Sequence, residues 1–166
     1  ISAAGINNDD TFTGDRQAAQ QKGIQGNTVT LAAGALSNRS GFISATQNLE
    51  LNISDRLDNQ NGYVTSLGAT RIVDPQGTLI LNNEKGYISG KEHTQIQSAQ
   101  LIGQGGTLAG DHLSLDLKGD YHNAHSLIGH TQLTLSTSGD VYNEGTLEST
   151  NALAIQARNL QNAQQG

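Results

Sequence analysis

Apolar and polar positions in this chain recur with a period of about twenty residues, most plainly between Lys118 and Ala157. There KGDYHNAHSLIGHTQLTLST is followed by SGDVYNEGTLESTNALAIQA, and the two lines align without a gap. Gly119, Asp120, Asn123, Leu127 and Leu133 meet Gly139, Asp140, Asn143, Leu147 and Leu153, and Leu135 meets Ile155. Each unit has a turn signal, a short apolar pair and then an alternating stretch, with no apolar run of helical length. Alternation of period two predicts strands at Leu49-Leu51-Ile53, Thr70-Ile72, Thr94-Ile96, Leu113-Leu115-Leu117, Leu133-Leu135 and Leu153-Ile155. The apolar pairs fall at Phe42-Ile43, Tyr63-Val64, Tyr87-Ile88, Thr107-Leu108, Leu127-Ile128 and Thr146-Leu147. A strand-built unit repeated at this period is one coil of a solenoid. The expected fold is therefore all-β: a parallel β-helix of about 20 residues per coil and about seven coils, on the order of 35 Å long at the inter-strand spacing of a sheet. Leu113, Leu115, Leu133, Leu135, Leu153 and Ile155 are its expected core.

Asparagine marks the start of each coil, at Asn38, Asn59, Asn82 or its neighbour Asn83, Asn123, Asn143 and Asn162. The long step between Asn82 and Asn123 holds one coil in which Gly103 replaces the marker. Asn tolerates the left-handed backbone of a tight corner, and stacked Asn side chains hydrogen-bond from coil to coil as a ladder. Both readings place these residues at structural corners. Residues 1–22 are expected to form an irregular first coil or cap, with either a loop or a two-turn helix over DRQAAQQK (15–22), Asp15 being the cap in the helical case. Residues 23–166 carry the repeats. Near 73–78 the sequence Asp-Pro-Gln-Gly adds about three residues, and Pro75 cannot donate to a ladder in mid-strand, so a projecting loop is expected there.

Composition narrows the picture. Leu, Ile, Val and Phe make up about 22% of the chain, close to the roughly 20% below which a sequence is compositionally disordered. Thin coils that bury one narrow stripe each need no more. With a net charge of −6 and scattered basic residues, no nucleic-acid partner is expected, because phosphate binding needs clustered Lys and Arg. The chain has no cysteine, so neither disulfides nor thiolate metal sites arise. No stretch is apolar enough for a membrane-spanning segment. Opening at Ile1 without a charged-then-apolar leader, the chain reads as a segment of something longer.

The strings A-L-S-N-R-S-G-F-I-S-A with the following L-E-L (35–51), and L-D-N-Q-N-G-Y-V-T-S (57–66), resemble the filamentous haemagglutinin repeat of very large bacterial exoproteins. The pattern L-x-N-x-x-G-x-I-x-A followed by L-x-L covers roughly 23–166, with lapses at Gly103 and Ser126. The resemblance implies a right-handed coil and a secreted or cell-surface location, reached by two-partner secretion. Its implied partners are an outer-membrane pore during export and a host or target-cell receptor or glycan afterwards. Such shafts hold adhesive tips, cytolytic regions or contact-dependent growth-inhibition toxins away from the cell. The family's amino-terminal secretion domain carries an Asn-Pro-Asn motif that has no counterpart here, so the resemblance reaches the shaft alone.

Candidate chemistry is sparse. Phe42, Tyr63 and Tyr87 each follow a glycine and precede a β-branched residue, so they should stack in successive coils. With Ile43, Val64 and Ile88 inside, the aromatics form an outward strip suited to a sugar ring or a protein partner. His122, His125 and His130 with Asp120 offer metal-binding atoms, but the coil equivalents of His122 and His125 are Tyr142 and Gly145, and His112 falls in no histidine column. Solvated turn histidines and no metal site are expected. Asp120 and Asp140 lie one coil apart, without a companion Arg or Lys in register. GGTLAGDHL (105–113) has the wrong offsets for a calcium-binding nonapeptide, and no G-x-S-x-G, P-loop or H-E-x-x-H motif occurs. No cofactor and no enzymatic activity are expected. The leading expectation is a stalk segment with an adhesive surface; the alternative is a carbohydrate-binding or carbohydrate-active β-helix.

Overall fold

The computed structural model describes residues 1–14 and 22–163, and among these every regular element is a β-strand. The loop or two-turn helix expected over 15–22 falls almost entirely outside the described residues. Strand β1 (Ser2–Asn7) precedes seven coils. Coil one holds β2 (Ile24–Gly26) and β3 (Val29–Ser37), and coil two holds β4 (Phe42–Ala45) and β5 (Leu49–Asp58). Coil three comprises β6 (Tyr63–Ser66), β7 (Ala69–Val73) and β8 (Ile80–Asn82); coil four comprises β9 (Tyr87–Gly90), β10 (His93–Ser98) and β11 (Gln100–Ile102). In coils five and six the first two strands run together, giving β12 (Thr107–Leu117) with β13 (Tyr121–Asn123), and β14 (Ser126–Thr137) with β15 (Val141–Asn143). Coil seven returns to three strands, β16 (Thr146–Ser149), β17 (Ala152–Gln156) and β18 (Leu160–Asn162).

Each strand pairs with its counterpart one coil away, and every pairing is parallel. The result is a β-solenoid with three walls. On the first wall Ile24, Ile43, Val64, Ile88, Leu108, Leu127 and Leu147 are in register. The second wall aligns Leu31, Leu51, Ile72, Ile96, Leu115, Leu135 and Ile155. On the third, Ile6, Leu36, Leu57, Leu81 and Leu101 follow one another, and Tyr121, Val141 and Leu160 continue beyond a gap. These columns meet on the axis and make one core that includes Leu113, Leu115, Leu133 and Leu135. Thr70 and Thr94 also point inward, fully buried in a column of leucines. They are tolerated because their hydroxyls satisfy nearby corner backbone: Thr70 donates to the Ser89 carbonyl at 2.8 Å, and Gly90 N–H donates to Thr94 at 2.6 Å.

Two core expectations change. Leu153 is 50% exposed, and Ile155 is only half-buried. The register is intact, with Leu133 opposite Leu153 and Leu135 opposite Ile155. What differs is cover: among the described residues coil seven is packed by coil six alone.

The insertion leaves the ladder between β7 and β8. Both carboxylate oxygens of Asp74 hold it, accepting N–H bonds from Gly77 (2.6 Å), Thr78 (3.0 Å) and Leu79 (2.8 Å). Leu79 turns back into the core and is fully buried.

The third wall is divided. Strand β11 pairs with β8, whereas β13 pairs with β15 in a separate three-stranded sheet. At this layer a buried tyrosine, Tyr121, stands where other coils place leucine or valine. Tyr121 belongs to the core, and β11 and β13 form no ladder across this layer. The opening left behind is a cleft of about 370 Å³ lined by Leu101, Ile102, Leu117, Tyr121 and Ala124, among others.

Candidate functional site

The corners are built on buried carboxamides. Asn8 Nδ2 donates to Asn38 Oδ1 (2.7 Å), Asn38 to Asn59 (2.7 Å) and Asn59 to Asn83 (2.8 Å). After the divide, Asn123 donates to Asn143 (2.7 Å) and Asn143 to Asn162 (3.1 Å). The ladder residue of coil three is thus Asn83. Asn82 lies one position earlier and donates to Asp58 Oδ1 outside the ladder (3.1 Å). Asn8, the first rung, was hidden in the irregular start; the common offset of Asn8–Phe12 and Asn38–Phe42 is the signal that marks it. None of the ladder asparagines has a positive φ. The left-handed residue stands two positions later, at Asp10 (56°), Ser40 (48°), Asn61 (53°), Lys85 (51°) and Gly105 (66°). The asparagine side chain, and not its backbone freedom, is what the corner uses.

Where the ladder lapses, at Gly103, the backbone has φ of 110° and a Cβ would fall 2.5 Å from Glu84 N. No side chain fits there. Asn123 Oδ1 instead accepts from the Tyr121 hydroxyl (2.8 Å) and from His125 N–H (3.1 Å). His125 is not a solvated turn residue but is 1% exposed. Its Nδ1 lies 3.5 Å from the Tyr121 hydroxyl, and its Nε2 has no hydrogen-bond partner among the described residues. Burial pushes its pKa down to about 4, opposed by the backbone of Ile102, and pushes that of the Tyr121 phenol up.

The aromatic column is in register, Phe42 beside Tyr63 beside Tyr87, with Ile43, Val64 and Ile88 fully buried on the other face. Phe12 joins it, 6.1 Å from Phe42 and 4.2 Å from Tyr63 between ring centres, while Tyr63 and Tyr87 are 5.8 Å apart. Phe42 is nevertheless buried. Phe12 stacks on it, and the chain at Gly23 presses so close that a Cβ would come within 2.2 Å of the Phe42 carbonyl oxygen. The outward strip is therefore Tyr63 and Tyr87, both half-buried. Tyr87 also lines a shallow groove of about 390 Å³ with Thr65, Leu67, Ser89, Lys91 and His130.

The carboxylates do have a cationic companion. Arg158 donates to Asp140 through Nε (2.8 Å) and a terminal nitrogen (2.9 Å), and reaches Asp120 at 3.3 Å. Asn159 also donates to Asp140 (2.8 Å). Hydrogen bonds from Arg158 and Asn159 hold the Asp140 carboxyl below its usual range, and Asp140 raises Arg158 in return. Both acids thus share an exposed ion-paired cluster with Arg158. His122 is exposed and lies 2.6 Å from Glu144.

A histidine pair does exist. His93 and His112 are directly opposite each other on β10 and β12, their rings stacked at 6.2 Å. Desolvation lowers the pKa of His93, assisted by the charges of His112 and Arg71. Among the described residues no group of three His, Asp or Glu side chains converges on a metal position, and no helix is long and apolar enough to cross a membrane. Comparison with protein-family models, with curated proteins and with solved structures finds no match.

Proposed function

We propose that this chain is a stalk segment of a large secreted bacterial exoprotein of the filamentous haemagglutinin-like kind, an adhesin or a contact-dependent growth-inhibition protein. Its work is extension: it spaces a functional region from the cell and offers its walls as adhesive surface. The observation that carries this reading is the solenoid itself, seven parallel coils locked by carboxamide corners. The surface chemistry supports it, since the two carboxylates in register are committed to Arg158. Secretion follows from the same reading. A chain emerging unfolded through an outer-membrane pore can add each coil to the one already formed, because each coil contacts only its neighbours. The half-buried Tyr63 and Tyr87 with the groove beside them are where a receptor or glycan would rest.

Protease shaving of intact cells that produce the natural full-length protein tests the proposal. Peptides from residues 22–163 should be released into the supernatant. Their retention inside unbroken cells would overturn it.

A further inference from the structure

His93 and His112 lie on the outer face of the second wall, each directly before an inward residue, Thr94 or Leu113. Because adjacent parallel strands are about 4.8 Å apart, opposed residues on one face stand side by side, close enough to share one ion. We propose that this pair binds one divalent transition-metal ion of the zinc, nickel or copper type, bridging coil four to coil five. Two imidazoles on one tetrahedral ion, each nitrogen about 2.1 Å from the metal, place their ring centres about 5.3 Å apart. The rings stand at 6.2 Å, so closure asks for about 1 Å of side-chain rotation at an outer surface, with no backbone movement.

The surroundings supply the rest of the coordination sphere. Both histidines line a hollow of about 230 Å³ together with Ser114, Gln132 and Thr134. Gln132 is next in register after His112 and lines the same hollow; in the proposed site its amide oxygen supplies a third donor and water the remaining position. Imidazole nitrogen with a neutral oxygen suits zinc, nickel and copper, whereas calcium and magnesium want several carboxylates. Arg71, close enough to act on His93, is the group that opposes a bound cation. The site is independent of the stalk reading: it rests on register and ring geometry alone.

Titration of zinc chloride into the purified protein, followed by calorimetry, tests the assignment. One ion should bind per chain, and His93→Ala and His112→Ala should each weaken it by at least about tenfold. Arg71→Gln should strengthen it, and His122→Ala and His130→Ala should leave it unchanged. Zinc should also raise the thermal midpoint of the parent protein and not that of folded His112→Ala, since the ion clamps two coils. Absence of binding up to about 1 mM zinc, or a loss that follows His122 or His130 instead, would overturn the proposal.

Discussion

At the scale of single residues, the carboxamide of Asn59 is a donor and an acceptor in the same buried row, giving a hydrogen to Asn83 and taking one from Asn38. Asn59→Ala takes the donor from Asn83 Oδ1 and the best acceptor from Asn38 Nδ2, which keeps only its longer contacts to the Gly41 (3.5 Å) and Tyr63 (3.3 Å) carbonyls. With about 1–3 kcal/mol for each buried group left unpaired, the variant should lose roughly 2–4 kcal/mol in urea unfolding. Asn162→Ala, at the exposed end of the second row, should lose under about 0.5 kcal/mol. Equal losses at the two sites would show that ladder bonds carry no particular weight. The marker asparagines were legible because they repeat. The choice between Asn82 and Asn83 was not, since both are asparagine and only the corner geometry separates them. The left-handed position was hidden for another reason: Asp10, Ser40, Asn61 and Lys85 share no chemistry. Stacking between corners imposes that conformation, and no side chain announces it.

Elements fail or hold together at the divide between β11 and β13. His125 sits in that layer, and its titration gives the divide a pH dependence whose sign is fixed. Unfolded, the ring titrates near 6.5, and folded near 4. Above about pH 6.5 neither state carries the proton. As pH falls toward 4 the unfolded chain binds a proton that the folded chain refuses, so stability drops, by about 3 kcal/mol once pH is below 4. Chemical unfolding midpoints measured from pH 7.5 to pH 4 should show this decline, with most of its slope absent in His125→Asn. A parent protein as stable at pH 4.5 as at pH 7 would refute it. None of this could be read from spacing. Asn123-Ala124-His125 looks like any other corner, and Tyr121 looks like an outward aromatic until its place in the leucine column is known. The His93–His112 pair was missed for another reason: each histidine stands one position before an alternating apolar stretch, at Thr94 and Leu113, and outer positions carry no periodic signal of their own.

Over the whole molecule, period was a sufficient guide to architecture, because a twenty-residue repeat of strand, corner and strand leaves few ways to bury its stripe. It could not say how deep each rung lies, since burial depends on having neighbours on both sides. Leu135 and Leu153 make the difference measurable: one is fully buried and the other is 50% exposed. Leu135→Ala should cost about 2–5 kcal/mol, as core truncations do, and Leu153→Ala less than about 1 kcal/mol, both read from denaturant midpoints. The carboxamide ladder has one more property at this scale. Every rung donates forward, from Asn8 toward Asn83 and from Asn123 toward Asn162, so the amide dipoles lie head to tail in two rows and polarise one another along the axis. The rows do not join, because the break at Gly103 hands the Asn123 oxygen to a phenol. Pulled from its two ends, the rod is a chain with one weak link, and it would part between coils four and five before any row of amides gave way.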